Sequence, residues 1–126
     1  MPFDHKIRDG LFELTFHGKV MADDFLQALR VVEELESRLP VTPDRITDIT
    51  DGDFSELHSQ QLVAVAERRK NAPLKNKIKS AIVAPKPDQY GLARMFAGFN
   101  QNSDITIMIF KDSTSAYEWL GRSPAA

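Results

Sequence analysis

Four carboxylates fall within residues 48–56, at Asp48, Asp51, Asp53 and Glu56. Acids gathered at the exit of a strand in an open α/β sheet sit where ligands commonly bind, and their oxygens suit Mg²⁺ held with water. An EF-hand register that makes Gly52 the sixth residue needs acids at Thr47 and Ile49 and a bidentate Glu at His58, and all three fail. The spacing fits turn-forming acids that also favour a helix N-terminus, so no metal is expected. His5, His17 and His58 have no ligand spacing, and the chain has no His-Glu-x-x-His, phosphate-loop or Gly-x-Gly-x-x-Gly motif. A Ser55–His58–Asp53 triad would have to be built within one helical turn, without a nucleophile elbow or an oxyanion hole. No catalytic residue and no cofactor is therefore expected, and the chain is read as a non-enzyme.

Arg68, Arg69, Lys70, Lys75, Lys77 and Lys79 place six cations in twelve residues. No aromatic side chain is interleaved to stack a base, and the pI is near 5.9, so nucleic acid is not expected as a partner. The run is read as a solvated basic loop suited to an acidic partner. Residues 1–63 carry 6 basic and 13 acidic side chains, residues 64–126 carry 10 and 5, so the halves are oppositely charged. Such polarity usually reflects two solvated faces, and it also suits head-to-tail association of copies, a homodimer among them. The absence of cysteine excludes disulfides, zinc ribbons and thiol nucleophiles.

These residues need a scaffold, and the 126-residue chain reads as one domain, 1–126. Phe12, Leu14 and Phe16 alternate with polar residues, the mark of a strand with one wet face. Asp9-Gly10 before it is a hairpin signal joining a short strand around Ile7. From 22 to 39 Phe25, Leu29, Val32, Leu35 and Leu39 form a helical stripe opened by Asp23 and Asp24 and stopped by Pro40. Residues 45–50 form a short strand, and Asp51-Gly52-Asp53 is expected to break it. A helix capped by Ser55 is expected to run to about Arg69, with His58, Leu62, Val65 and Ala66 on its apolar side. Residues 77–84 form a strand and 89–100 a helix with Leu92, Met95, Phe96 and Phe99 on one face. The strand 105–110 and a helix over 113–120 complete the order β, β, α, β, α, β, α, β, α. That is a mixed α/β sandwich of about five strands and four helices. The expected core includes Phe12, Leu14, Phe25, Leu29, Val32, Ile82, Ile107 and Ile109. The longest apolar run, 105–110, is far short of the roughly 20 residues that span a bilayer. Met1-Pro2-Phe3-Asp4 does not read as a signal peptide, so the expected location is cytoplasmic.

Gly91-Leu92-Ala93-Arg94-Met95-Phe96 after a strand ending in Ala84-Pro85, then Phe110-Lys111-Asp112 and Ala116-Tyr117-Glu118-Trp119-Leu120, resemble the SpoIIAA-like, or STAS-like, family of small bacterial proteins. Phe16-His17-Gly18-Lys19-Val20 is similar to that family's strand-Gly-helix opening, and Asp48-Ile49-Thr50 to its Asp-Leu-Ser strand end. The resemblance covers roughly residues 11–120. It implies a sheet of sequentially adjacent strands wound as a β-α superhelix, a bacterial origin, and a binding or regulatory role rather than catalysis. Anti-sigma-factor antagonists of the wider STAS group carry Asp-Ser-Ser/Thr-Gly at the start of the second helix, where a serine is phosphorylated. Here the sequence is Phe54-Ser55-Glu56-Leu57-His58-Ser59, which puts Glu56 at the Asp and Leu57 at the phosphorylated position. Ser55 and Ser59 are the substitutes at hand, but Asp53 and Glu56 would repel a phosphate, so the switch is expected to be missing.

The expected function is a non-enzymatic module that binds an apolar small molecule or lipid, or a partner protein, with peripheral contact to a membrane. The alternative is a phospho-regulated protein-interaction switch acting through Ser55 or Ser59. The expected ligand-binding residues are His58, Leu62, Tyr90, Leu92, Met95, Phe96 and Phe99, with His58 placed to gate the site by protonation. The third helix, flanked by Pro85, Pro87 and the polar run 100–103, is expected to swing outward and present Tyr90 and Arg94 to an anionic surface.

Overall fold

The computed structural model describes residues 1–123. Strands β1 (Phe3–Arg8), β2 (Leu11–Lys19), β3 (Asp44–Asp53), β4 (Ile78–Val83) and β5 (Ile105–Phe110) form one sheet in the order β1-β2-β3-β4-β5. β1 pairs antiparallel with β2, and the remaining neighbours are parallel. Asp9 and Gly10 both take positive φ, 52° and 75°, the geometry a two-residue hairpin needs and one that Asp-Gly adopts readily. Each parallel crossover carries a helix: α1 (Ala22–Arg38), α2 (Ser59–Lys70) and α3 (Pro87–Phe99). These three cover one face. The short α4 (Ser113–Trp119) covers the other, packing Ala116 and Tyr117 on Leu11, Ile46, Ala81 and Val83.

The larger core lies under α1–α3 and holds Phe12, Leu14, Phe16, Val32 and Ile82. Of the expected core, Phe12, Leu14, Leu29, Val32 and Ile82 are buried. Phe25, Ile107 and Ile109 are only partly buried, and Phe25 and Ile107 face an incompletely filled space described below.

Three boundaries differ from the sequence reading. β3 does not break at Asp51-Gly52-Asp53 but runs through Asp53, pairing Gly52 with Gly18 of β2. Gly52 is required there, since a Cβ would lie 2.6 Å from the Phe54 ring folded over it. α2 begins at Ser59 rather than Ser55: Asp53 accepts the Ser55 N–H at 3.0 Å, and Leu57 N–H donates to Phe54 O at 3.0 Å, so these residues form a turn. α3 begins at Pro87, whose missing N–H costs nothing at a first helical position. α1, α2 and α3 start alike, with Asp24, Gln61 and Gln89 each accepting the N–H of the residue preceding the helix, at 2.9, 2.9 and 3.2 Å.

The basic run is not a solvated loop. Arg68 forms a two-point ion pair with Glu33 (2.8 and 2.7 Å), Arg69 is buried on Glu36, and Lys75 Nζ donates to Ser37 O and Leu39 O at the end of α1. Lys79 lies over the Trp119 ring at 5.2 Å. Chain folding has turned most of these cations into helix ties.

Candidate ligand-binding site

Under α1–α3 the packing leaves an apolar cavity of about 120 Å³. The sheet contributes its floor through Leu14, Ile49, Ile82 and Ile107, side chains that alternate onto the helix-bearing face. Phe25 and Leu29 of α1, Leu62 and Val65 of α2, and Leu92 and Phe96 of α3 supply the walls. The aromatic rings form a chain: Phe54 meets Phe16 edge-on at 5.4 Å, Phe16 lies 6.1 Å from Phe25, and Phe25 meets Phe96 edge-on at 6.1 Å. Edge contacts of this kind add stability beyond burial and hold rings at fixed angles, so the wall is shaped rather than collapsed. Ala28 and Ala93 leave the room that larger side chains would fill.

One end of the cavity is polar. Arg45, Arg69, Ser80 and Asn100 line it, and Glu36 sits behind them. Arg69 engages both oxygens of Glu36, with Nη1 to Oε1 at 2.8 Å and a shorter contact from Nη2 to Oε2. Burial, followed by the like charge of Arg69, pushes the Arg45 guanidinium down to about 10.

Of the residues singled out in the sequence, Leu62, Leu92 and Phe96 lie on the cavity wall. Met95 and Tyr90 are half-buried off it, and Arg94 lies 6.0 Å over the Tyr90 ring. Phe99 is 46% exposed at the end of α3. His58 is not on an apolar helix face: it is the exposed residue that caps α2, because the cap falls three residues later than the expected Ser55. Ser55 and Ser59 are both exposed. Ser55 is already committed to Asp53, whose carboxyl is held below its ordinary value by the Ser55 hydroxyl and N–H. Among the acids, Asp48 accepts from both the N–H and the hydroxyl of Thr50. Among the described residues no three acids, histidines or cysteines gather as metal ligands.

Sequence reasoning missed the polar end, although a signal existed. Glu36 stands seven residues after Leu29, and Arg69 seven after Leu62, which places each charge on its helix's inward stripe. Arg45 likewise occupies an inward position of β3, two before Thr47 and four before Ile49.

The opposite face has a wider groove of about 350 Å³ beside Glu13, Ile46, Asp48 and Tyr117. Its Glu13 is already engaged: Tyr117 Oη donates to Glu13 Oε2 at 2.6 Å, and Arg8 Nη2 donates to the same oxygen at 3.2 Å. It offers less to a ligand than the apolar cavity does.

No protein-family model matches the chain, and no curated protein matches it by sequence. Among solved structures it is similar to an uncharacterised protein of the DUF3478 family from Shewanella loihica PV-4, described as having a SpoIIAA-like fold. The two are 16% identical, the match covers 94% of this chain and 91% of that one, and the TM-score is 0.60. At that identity the likeness speaks to architecture alone, and the architecture is the one the family resemblance implied: this chain has the SpoIIAA-like fold.

Proposed function

We propose that this chain is a non-enzymatic STAS-like binding module that takes an apolar small molecule or a lipid acyl group into the cavity beneath α1–α3. The observation that carries this reading is the unfilled, aromatic-walled space itself. Protein interiors are close-packed, and here about 120 Å³ stays unfilled among apolar side chains. A ligand that fills it gains the contacts that the wall lacks. Peripheral membrane contact would come from α3, where exposed Phe99 lies on the same helix as the Tyr90–Arg94 pair. No helix among the described residues is long and apolar enough to cross a membrane.

The test is thermal denaturation with hexan-1-ol as an apolar probe, alongside native mass spectrometry of the protein as purified. The expected result is a copurified small molecule, or a rise in Tm with hexan-1-ol that Ala93→Leu erases while raising the unliganded Tm. No copurified ligand together with no rise in Tm would remove the basis for the reading.

A further inference from the structure

Glu36, Arg45 and Arg69 are 8%, 8% and 3% exposed, and they do not balance. Two guanidinium groups face one carboxylate. Arg69 takes both oxygens of Glu36, so Arg45 is left with Nη1 at 3.7 Å from Oε2, beyond hydrogen-bond length. Among the described residues its one side-chain hydrogen bond runs from Nε to Ser80 Oγ at 3.3 Å. A guanidinium carries five N–H donors, so the Arg45 Nη groups keep donors for a further acceptor.

Helix C-termini are the other ordinary sink for a buried cation. Glu36 and Arg69 lie in the last turns of α1 and α2, so such ends are close by. They are already served, however: Lys75 donates to Ser37 O and Leu39 O, and Asn102 Nδ2 donates to Arg69 O and Ala72 O at 3.0 and 3.1 Å. The second independent sign is Asn100, 5% exposed on the same cavity, whose Oδ1 has no hydrogen-bond partner among the described residues. An apolar cavity therefore ends in an under-partnered cation and an unsatisfied amide.

Resting on the reading of this cavity as a ligand site, we propose that its ligand is an amphipathic monocarboxylate, its anionic head on Arg45 beside Asn100 and its hydrocarbon among Phe25, Leu29 and Phe96. A carboxylate matches the guanidinium fork with two parallel N–H···O bonds and brings the buried charge to zero. Asn100 Oδ1 is itself an acceptor, so the amide has to turn about its terminal bond to present its Nδ2 donors to the carboxylate. The space sets the length. An engineered cavity of roughly 150 Å³ holds benzene, so about 120 Å³ suits a hydrocarbon tail of about five carbons, the length in hexanoate.

The test is isothermal titration at pH 7 with hexanoate and with hexan-1-ol, which share a chain length and differ in head charge. The wild-type chain is expected to bind hexanoate at least about tenfold more tightly. Arg45→Met, which leaves the one-to-one Arg69–Glu36 pair intact, should lose the preference for hexanoate over hexan-1-ol. Ala93→Leu should bind neither. Equal or tighter binding of hexan-1-ol by the wild type, or retained preference in folded Arg45→Met, overturns the carboxylate assignment and leaves the cavity reading standing. Failure of the wild type to bind either probe overturns both, and the wild-type comparison does not depend on any variant folding.

Discussion

Glu36→Gln should be among the most damaging conservative substitutions in the chain. Glu36 is the shared counter-charge of two buried arginines, and removing its charge leaves Arg45 and Arg69 facing each other with no anion between them. Stripping one partner from a buried ion pair costs about 3–5 kcal/mol, because the surviving charge stays desolvated and unpaired. For a domain of 126 residues each kcal/mol lowers Tm by about 4 °C, so the expected fall is about 12–20 °C. Arg45→Met should behave in the opposite way, changing stability by less than about 1 kcal/mol in either direction, since it leaves a matched pair behind. The sign agrees with the titration of Arg45. Its folded value of about 10 lies below the ordinary 12.5, so the folded state holds that proton more weakly than the unfolded chain, and the charge opposes folding at every pH below about 10. Equilibrium urea unfolding followed by Trp119 fluorescence measures both variants. A loss below about 1 kcal/mol in Glu36→Gln, or an Arg45→Met loss as large as that of Glu36→Gln, would refute the picture of an unbalanced charge cluster.

Tyr117→Phe should cost about 1.5–3 kcal/mol at pH 7, the worth of a hydrogen bond to a charged group. Burial pushes the Glu13 carboxyl up, but the Tyr117 hydroxyl and Arg8 outweigh it and hold it below 4.5, so its contribution is present above that pH and is lost as pH falls through the folded value; urea midpoints of the two proteins should draw together as pH is lowered below 4.5, and a constant gap would contradict this. Gly52→Ala should lose about 1–3 kcal/mol by pushing Phe54 off Phe16, whereas Gly91→Ala, in open space on α3, should gain about 0.5–1 kcal/mol, as thermal denaturation of the pair will show. Incubation with serine kinases should leave Ser55 and Ser59 unmodified beside Asp53 and Glu56, and a stoichiometric phosphopeptide spanning 55–59 that abolishes partner binding would favour the phospho-switch instead.

The strand and helix order was legible because each element carries its own local signal. Alternation at Phe12, Leu14 and Phe16 and the stripe through Phe25, Leu29 and Val32 are periodicities that tertiary packing had no reason to override. The start of α2 was misread for a local reason too: Ser55 is a good cap by type, but Asp53 captures its N–H first and Gln61 closes the helix end at His58. That shift of three residues moved His58 out of the site. The cavity was half legible. Leu92 and Phe96 were drawn from the α3 stripe, yet the same stripe carried Met95 and Phe99 away from the wall, because a stripe fixes a helix face and not the depth of its neighbours. Arg45, Glu36 and Arg69 meet across sequence separations of 33 and 35 residues with Ser80, and no local pattern encodes such a meeting.

The same contacts bear on how a ligand reaches the cavity. An outward swing of α3 hinged at its start would have to break the buried Gln89 side chain away from Ile49 O and Thr50 O, at 3.1 and 2.9 Å, as well as from Lys86 N–H. Two carbonyls at the end of β3 would lose partners, at about 1–3 kcal/mol for each buried group left unmet. The Phe25–Phe96 contact between α1 and α3 is held by one edge-to-face pair of half-buried rings, worth about 0.5–1.5 kcal/mol. Opening therefore costs least between α1 and α3, by turning Phe96 and Phe25 apart while Gln89 keeps α3 fixed to the sheet. On that path the carboxylate, the group most costly to strip of water, travels the length of the aromatic wall before it meets Arg45.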